Sequence, residues 1–395
     1  MCLAMMALAI VPLSSVGALH ASAADASTLP PVIDNPSNAV TADALPTAQI
    51  NGVAWDQVIV GNTVYVAGEF TSARPAGAAL GTSESRRYNL MSYNLTTGVM
   101  TSWAPNVNGR IRVITRSPDG SRIYIGGSFT SVDGKSRYRV AAFSTSTGAV
   151  VDAFAPVASS DVFGIAATNA VVYLGGWFTA LNNTPRTRLA AVNASNGSLT
   201  AWAPTADSTV WAMGLTTAAD RLVVAGSFTT LNGATANSMG SLSTVNGTSF
   251  PFAANLIIHN TGDQAAMMSV KVVDNLAYSG GFTYNGAGGT GNLEGGVIAD
   301  AYDGTVRNLD NCRGDTYDMA PMNGLAYVVS HHHQCENIGG FTEQTPRMYQ
   351  YADAVTIDAR GLVMDSAGTV ASFGGQPSGS YVNWFPAMQA GTATA

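Results

Sequence analysis

The apolar positions of this chain come in short alternating runs, each cut within a few residues by glycine, asparagine or aspartate. Such runs predict β-strands, and the cuts predict turns. One run returns six times: VYVAGEFT (64–71), IYIGGSFT (123–130), VYLGGWFT (172–179), LVVAGSFT (222–229), LAYSGGFT (276–283) and AYVVSHHH (326–333). The position held by Phe70, Phe129, Phe178, Phe228, Phe282 and His332 therefore recurs at intervals of 59, 49, 50, 54 and 50 residues. A fixed period of this length marks a repeat architecture.

Each repeat has the same surroundings. A second β-rich run precedes the anchor across a turn such as Gly61-Asn62, Pro118-Asp119-Gly120 or Asn323-Gly324, which predicts a hairpin. A turn such as SVDGKS or TLNGAT follows, then a strand of small residues (NLMSYN, RVAAFS, RLAAVN). A last short strand ends in an aromatic and a proline: SWAP (102–105), AFAP (153–156), AWAP (201–204) and NWFP (383–386). Four antiparallel strands in about 50 residues fit a propeller blade better than the shorter coil of a solenoid. A β-sandwich would not require its strands to repeat. The expected fold is therefore an all-β propeller of four-stranded antiparallel blades. Paired glycines at the strand ends suit close approach of neighbouring strands, and the anchor aromatics are read as packing between blades.

The repeats divide the chain into an extended segment over 24–48, a propeller of six repeats over 49–386 and a linker or tail over 387–395. AMQAGTATA (387–395) resembles a connection between blades, so a truncated chain lacking a seventh blade is expected, with one sheet edge left open. Residues 1–23 read as a signal peptide, because an apolar run ends in the small-x-small pattern Ala21-Ser22-Ala23. Its first residues carry no lysine or arginine, and a membrane anchor is the rival reading; the apolar run is short for a spanning helix. The mature chain would be secreted or held at the cell surface, with no membrane span.

Composition narrows the partners. Charged residues make up only 11% of the 395 residues, and the net charge is −7. There are two lysines, Lys135 and Lys271, and no basic cluster, so the electrostatic footprint of a nucleic-acid binder is missing. Outside the signal segment, which contains Cys2, the cysteines are Cys312 and Cys335. In an exported protein such a pair predicts a disulfide. The blade plan supports it: Cys312 precedes the first strand of the sixth repeat and Cys335 follows the second, and both strand ends meet on one face. Closing that loop contributes about 3 kcal/mol in the chain-entropy picture.

The repeated YxGGxFTxVNG unit, followed by an arginine and LAA, resembles the delta-60 repeats of secreted bacterial β-propellers. The stretches AWDQVIVGNTVYVAGEFTSARPAGA and NCRGDTYD with AYVVSHHHQC are similar to the actinobacterial branch. The resemblance covers roughly residues 48–386 and implies fold and export but no reaction. Members are often followed by polycystic-kidney-disease-type, fibronectin type III or lectin-like modules; residues 1–395 contain none, which adds to the expectation that the sequence is a fragment.

The chemistry concentrates on the sixth repeat, where His331, His332 and His333 replace the usual x-Phe-Thr. Alternation puts His331 and His333 on one side of the strand and His332 on the other. Asp310, Asp315, Asp318 and Glu336 are expected near the same face. His331, His333 and Asp318 form a candidate set for a divalent metal, since imidazole and carboxylate suit such ions, although the spacing matches no strong metal motif. A polar rim tied down by the disulfide is the plainer reading. Asp315, Trp177, Glu69 and the recurring Arg87, Arg137 and Arg186 are further ligand-binding candidates; Trp177 offers a ring for a sugar, and the arginines offer charge for an anion or glycan. The same arginines equally suit hydrogen bonds to carbonyls. Asp56 and Asp318 share one offset before their anchors, which points both to the channel mouth. Arg313-Gly314-Asp315 spells an adhesion tripeptide. No nucleophile elbow or phosphate-binding loop occurs.

The function expected from this reading is a non-enzymatic extracellular binding or display scaffold, monomeric, with a glycan or another surface component as ligand and no required cofactor. The alternative is a metal-assisted hydrolase or lyase acting on extracellular polymer at the sixth-repeat face. A spacer between surface modules is a third role.

Overall fold

A computed structural model describes residues 29–34, 36–41, 46–283, 291–364 and 373–384. The signal segment (1–23) and the tail (387–395) lie outside the described residues. Among the described residues, six antiparallel sheets follow one another as blades of a β-propeller. Blade 1 holds Val53–Val60, Thr63–Glu69 and Leu90–Asn94, with a bridge from Tyr93 to Met100 in place of a fourth strand. Blade 2 holds Ile111–Arg116, Arg122–Gly127 and Val140–Ser144, and blade 3 holds Val162–Ala167, Val171–Gly176 and Leu189–Asn193. Blade 4 has four strands, Val210–Leu215, Arg221–Gly226, Met239–Ser243 and Ser249–Phe250. In blade 5 the first strand is split into Ala265–Met267 and Lys271–Val273, ahead of Leu276–Thr283, Gly295–Asp300 and Val306–Asp310. Blade 6 holds Thr316–Met322, Leu325–His332, Gln350–Leu362 and Pro377–Asn383.

Local sequence explains why each blade folds as it does. The turn pairs Asp133-Gly134, Asn182-Asn183 and Asn232-Gly233 all have positive φ at both positions, the twist a two-residue hairpin requires. The side chains of Asp133, Asn182 and Asn232 then accept the backbone N–H groups of Asn106, Val157 and Thr205, seating the linker that arrives from the preceding blade. Gly175 and Gly176 show why the strand ends are glycine. A Cβ at Gly176 would stand 2.1 Å from the Asp161 carbonyl oxygen, and one at Gly175 would meet Val210 and Met213 of the next blade. The anchors Phe70, Phe129, Phe178 and Phe228 are buried, each burial worth about 1.5–3 kcal/mol. Successive hydrophobic clusters span blades 1 and 2, 2 and 3, and 3 and 4. A larger one runs through blades 4 to 6.

The aromatic before each proline locks one blade to the next. Trp103 meets Tyr65 edge-on at 5.1 Å and donates its indole N–H to Gly148 O of blade 2. Trp202 repeats this with Tyr173 and Ser243 O of blade 4. In blade 6, Trp384 meets Tyr327 at 4.9 Å, but its indole N–H goes to Val40 O. Val40 N in turn donates to the Tyr327 hydroxyl. The segment expected only to be extended therefore takes the contacts that a following blade takes elsewhere. Its Ile33–Asp34 strand pairs in parallel with Val382 and Asn383, so the outer edge of blade 6 is covered at this end where an open edge was expected. None of the helices among the described residues is long and apolar enough to cross a membrane.

Candidate binding face

The first strands are innermost, and those of blades 1 to 4 touch one another in succession. Five of the six carry a β-bulge at the same place. The register slips between Ala54 and Asp56, Ile111 and Val113, Val162 and Gly164, Val210 and Ala212, and Thr316 and Asp318. The extra residue in each case is Trp55, Arg112, Phe163, Trp211 or Tyr317. A bulge leaves its extra residue outside the ladder and re-aims the side chain, so four aromatics and a guanidinium take the equivalent position on five blades. They pair across blades. The Arg112 guanidinium lies 4.3 Å over the Trp55 ring, and the Phe163 and Trp211 rings are 4.5 Å apart. Trp55 and Tyr317 keep 45% and 46% of their surface exposed, which leaves faces free for a ligand.

A second ring surrounds the first. It is formed by the residue just before each anchor, where the second strands end. Glu69 pairs with Arg110 at 2.5 Å, and the hydrogen bond from Arg110 holds its carboxyl below the usual range. Ser128 donates to Asp161 at 2.7 Å, and Trp211 donates to Ser227 at 2.9 Å. Trp177 stands 58% exposed, and His331 lies edge-on to Tyr317 with centroids 6.3 Å apart. Between blades 1 and 2 an open depression of about 340 Å³ is lined by Asn51, Glu69, Thr71, Asn89, Asn108 and Arg110.

On the first strands the structure brings Asp56 of blade 1 and Asp318 of blade 6 together with Lys271 of blade 5. Lys271 is ion-paired with Asp318. Asp56 accepts the N–H groups of Ile114 and Gln57 at 2.9 and 2.8 Å. Burial of its carboxylate in the channel wall nevertheless pushes its pKa up to about 6, against the lowering effect of those amides and of Lys271.

The candidate metal set His331, His333 and Asp318 does not converge. Asp318 is held by Lys271 at the axis. His331 lies 4.0 Å from Asp315, whose N–H it accepts, and His333 lies 3.6 Å from Glu343. Tyr349 sits against both rings at 5.8 and 6.1 Å. Burial and the nearby Arg347 cation depress the His333 pKa, while burial raises that of Asp315. Arg87 and Arg186 donate to Thr101 O and Thr200 O, each at 3.1 Å, and Arg137 reaches the Asp152 carboxylate at 3.2 Å. These three arginines are stapled within their own blades, third strand to fourth, away from the axis. Glu336 accepts from Gln334, which in turn receives Arg313. The Arg313-Gly314-Asp315 tripeptide is thus drawn into the blade. Cys312 and Cys335 are joined, with an S–S distance of 1.99 Å.

Sequence reasoning missed the buried neighbour of the disulfide. His332 occupies the phenylalanine anchor slot and is fully buried. Its Nδ1 is 2.7 Å from the Asp353 carboxylate and its Nε2 is 2.8 Å from the Thr316 hydroxyl. The order hydroxyl, imidazole, carboxylate is that of a nucleophilic triad. All three residues have no exposed surface, so no substrate reaches the hydroxyl. The sequence signal for this network was Asp353 in the centre of the apolar strand YADAV. The five bulge residues had no signal in the sequence beyond their recurrence.

No protein-family model matches the chain, and no curated protein matches it. Two solved structures align with the chain at low identity. Hydrazine synthase of Kuenenia stuttgartiensis aligns at TM-score 0.42 and 14% identity over 65% of this chain and 66% of that one. The Pan2 WD40 domain of Neurospora crassa aligns at 0.40 and 12% over 63% of each. The chain thus spans less than two thirds of either neighbour, and neither transfers an activity or partner to it.

Proposed function

We propose that this chain is a secreted propeller of the delta-60-repeat, actinobacterial kind that acts as an extracellular binding scaffold, taking a glycan at the axial mouth. The observation that carries the reading is the placement of Trp55, Arg112, Phe163, Trp211 and Tyr317 by equivalent bulges on five blades. Aromatic faces pack against the apolar C–H face of a sugar ring, while the polar rim of Glu69, Arg110, Asn51 and Asn108 answers its hydroxyls. The apolar leader ending at Ala23 and the Cys312–Cys335 bond support export, since such bonds persist in oxidising compartments.

The test is a titration of the purified chain with soluble bacterial and plant polysaccharides, followed by tryptophan fluorescence and calorimetry. Saturable binding is expected, falling at least tenfold in the Trp55→Ala/Trp211→Ala variant while β-sheet circular dichroism is unchanged. Binding that survives the double change places the ligand elsewhere, and absence of binding across the polysaccharides rejects a glycan ligand.

A further inference from the structure

Next to the sealed network lies a donor set that the scaffold reading leaves unused. Asp310 ends the last strand of blade 5, Cys312 lies in the crossing to blade 6, and His332 and Cys335 lie at and beyond the end of the second strand of blade 6. All four are buried, Asp310 being 2% exposed and the others fully enclosed. One ligand atom from each lies within 4.8 Å of all the others, and no other such group occurs among the described residues. Donors on a tetrahedral shell of about 2.0–2.3 Å radius stand roughly 3.3–3.8 Å apart. A contraction of about an ångström would therefore bring the four onto one ion.

Two observations point to a cation and not merely to a polar pocket. Neither carboxylate oxygen of Asp310 is held by a well-formed hydrogen bond; the His332 imidazole and the Cys312 amide are the groups that favour its charge. An enclosed carboxylate so weakly satisfied is costly to ionise, and a bound cation is one way of meeting that cost. His332 is also held as metal-binding histidines are held, one ring nitrogen fixed by a carboxylate, here Asp353 at 2.7 Å. Its other nitrogen rests on a neutral hydroxyl, Thr316, which can rotate away.

We infer that Asp310, Cys312, His332 and Cys335 form a latent site for a divalent metal of the zinc class, opened when the disulfide is reduced. While the sulfurs are bonded to each other they offer no thiolate. A small dithiol transfers two electrons and two protons, giving two cysteine thiols and its own cyclic disulfide. The metal then displaces both thiol protons to solvent and takes two thiolates, the Asp310 carboxylate and a His332 nitrogen. Thiolate with imidazole selects zinc or cobalt over magnesium or calcium. The blade 6 junction would thus be clamped by a covalent bond in an oxidising medium and by an ion in a reducing one.

The test is a titration of the full-length, metal-stripped chain with Co2+ before and after anaerobic reduction by dithiothreitol and its removal. The reduced chain is expected to bind one Co2+ with a thiolate-to-cobalt charge-transfer band, displaced by Zn2+, and the oxidised chain to show no such band. Asp353→Asn should weaken affinity by ~10–100-fold, and Asp310→Asn by at least as much. No charge-transfer band in the reduced chain overturns the proposal, as does affinity unchanged in both variants. If a variant does not fold, Zn2+ protection of Cys312 and Cys335 from alkylation decides it in the unmodified sequence, and lack of protection overturns it. If reduction unfolds the chain, Zn2+ must restore the β-sheet spectrum; failure to do so overturns it equally. None of these outcomes bears on the axial mouth.

Discussion

Blades 3 and 6 place different chemistry in the same slot. In blade 3 the anchor is Phe178, fully enclosed by apolar neighbours from blades 2 and 3. In blade 6 it is His332, equally enclosed, with Thr316 and Asp353 supplied by the strands on either side. The backbone is the same: second strand paired with first and third, bulge on the first strand, aromatic lock at the end of the blade. A buried imidazole is tolerated there only because its partners came with it, since each unpaired polar group would cost about 1–3 kcal/mol. The repeat specifies a shape, and each blade fills that shape with its own interior.

The largest effect should come from breaking the polar interior. Asp353→Ala leaves His332 buried and half-paired and is expected to cost about 3–5 kcal/mol, similar to Phe178→Ala in the apolar slot. The triple change Thr316→Val/His332→Phe/Asp353→Ala should recover much of that loss by rebuilding blade 6 in the image of blade 3. Denaturant unfolding measures all three, and a triple variant no better than Asp353→Ala would show that the two slots differ in shape as well as chemistry. Next in size is Cys312→Ser/Cys335→Ser, expected to cost ~3 kcal/mol, with hydrogen exchange rising first in blades 5 and 6 while blades 1 to 4 stay protected. Arg186→Ala removes a staple of the regular blades and should cost about 1–2 kcal/mol without changing ligand affinity at the mouth.

Acidity sharpens the comparison further. Burial, then the Asp315 charge, pushes the Glu294 pKa up to about 7 from an ordinary value of 4.5. Asp56 at the axis rises from 3.8 to about 6, burial again being the main cause. A carboxyl whose pKa is raised on folding binds its proton more tightly in the native state. Its contribution is therefore present below the unfolded value and is lost as pH rises through the folded one. Stability should decline between about pH 4 and 6 through Asp56 and between about pH 4.5 and 7 through Glu294. In Glu294→Gln the upper part of that decline should flatten in a thermal-melt series; an unchanged slope would assign it to other groups.

Much of the fold was legible along the chain because it is written locally. Strand alternation, the Asn-Gly and Asp-Gly turns and the spacing of the Phe70 series depend on residues within a few positions of one another. Together they yield the blade, its strand order and the face on which Trp177 and Glu69 stand. The opposite facing of His332 from its two neighbours followed from alternation alone. Legibility ended wherever register or distant chain decided. Trp55 and Trp211 face the mouth because of a one-residue slip that no local pattern announces. Asp318 is occupied by Lys271 from another blade, which dissolves the metal set that proximity in sequence had assembled. Asp353 is 21 residues from the histidine it holds, and Val40 completes the lock on Trp384 from the far end of the chain. The sequence by itself determined the repeating unit, since hydrophobic period and turn chemistry act over a few residues. Only the tertiary structure decided which polar groups meet, since that depends on how whole sheets are stacked around the axis.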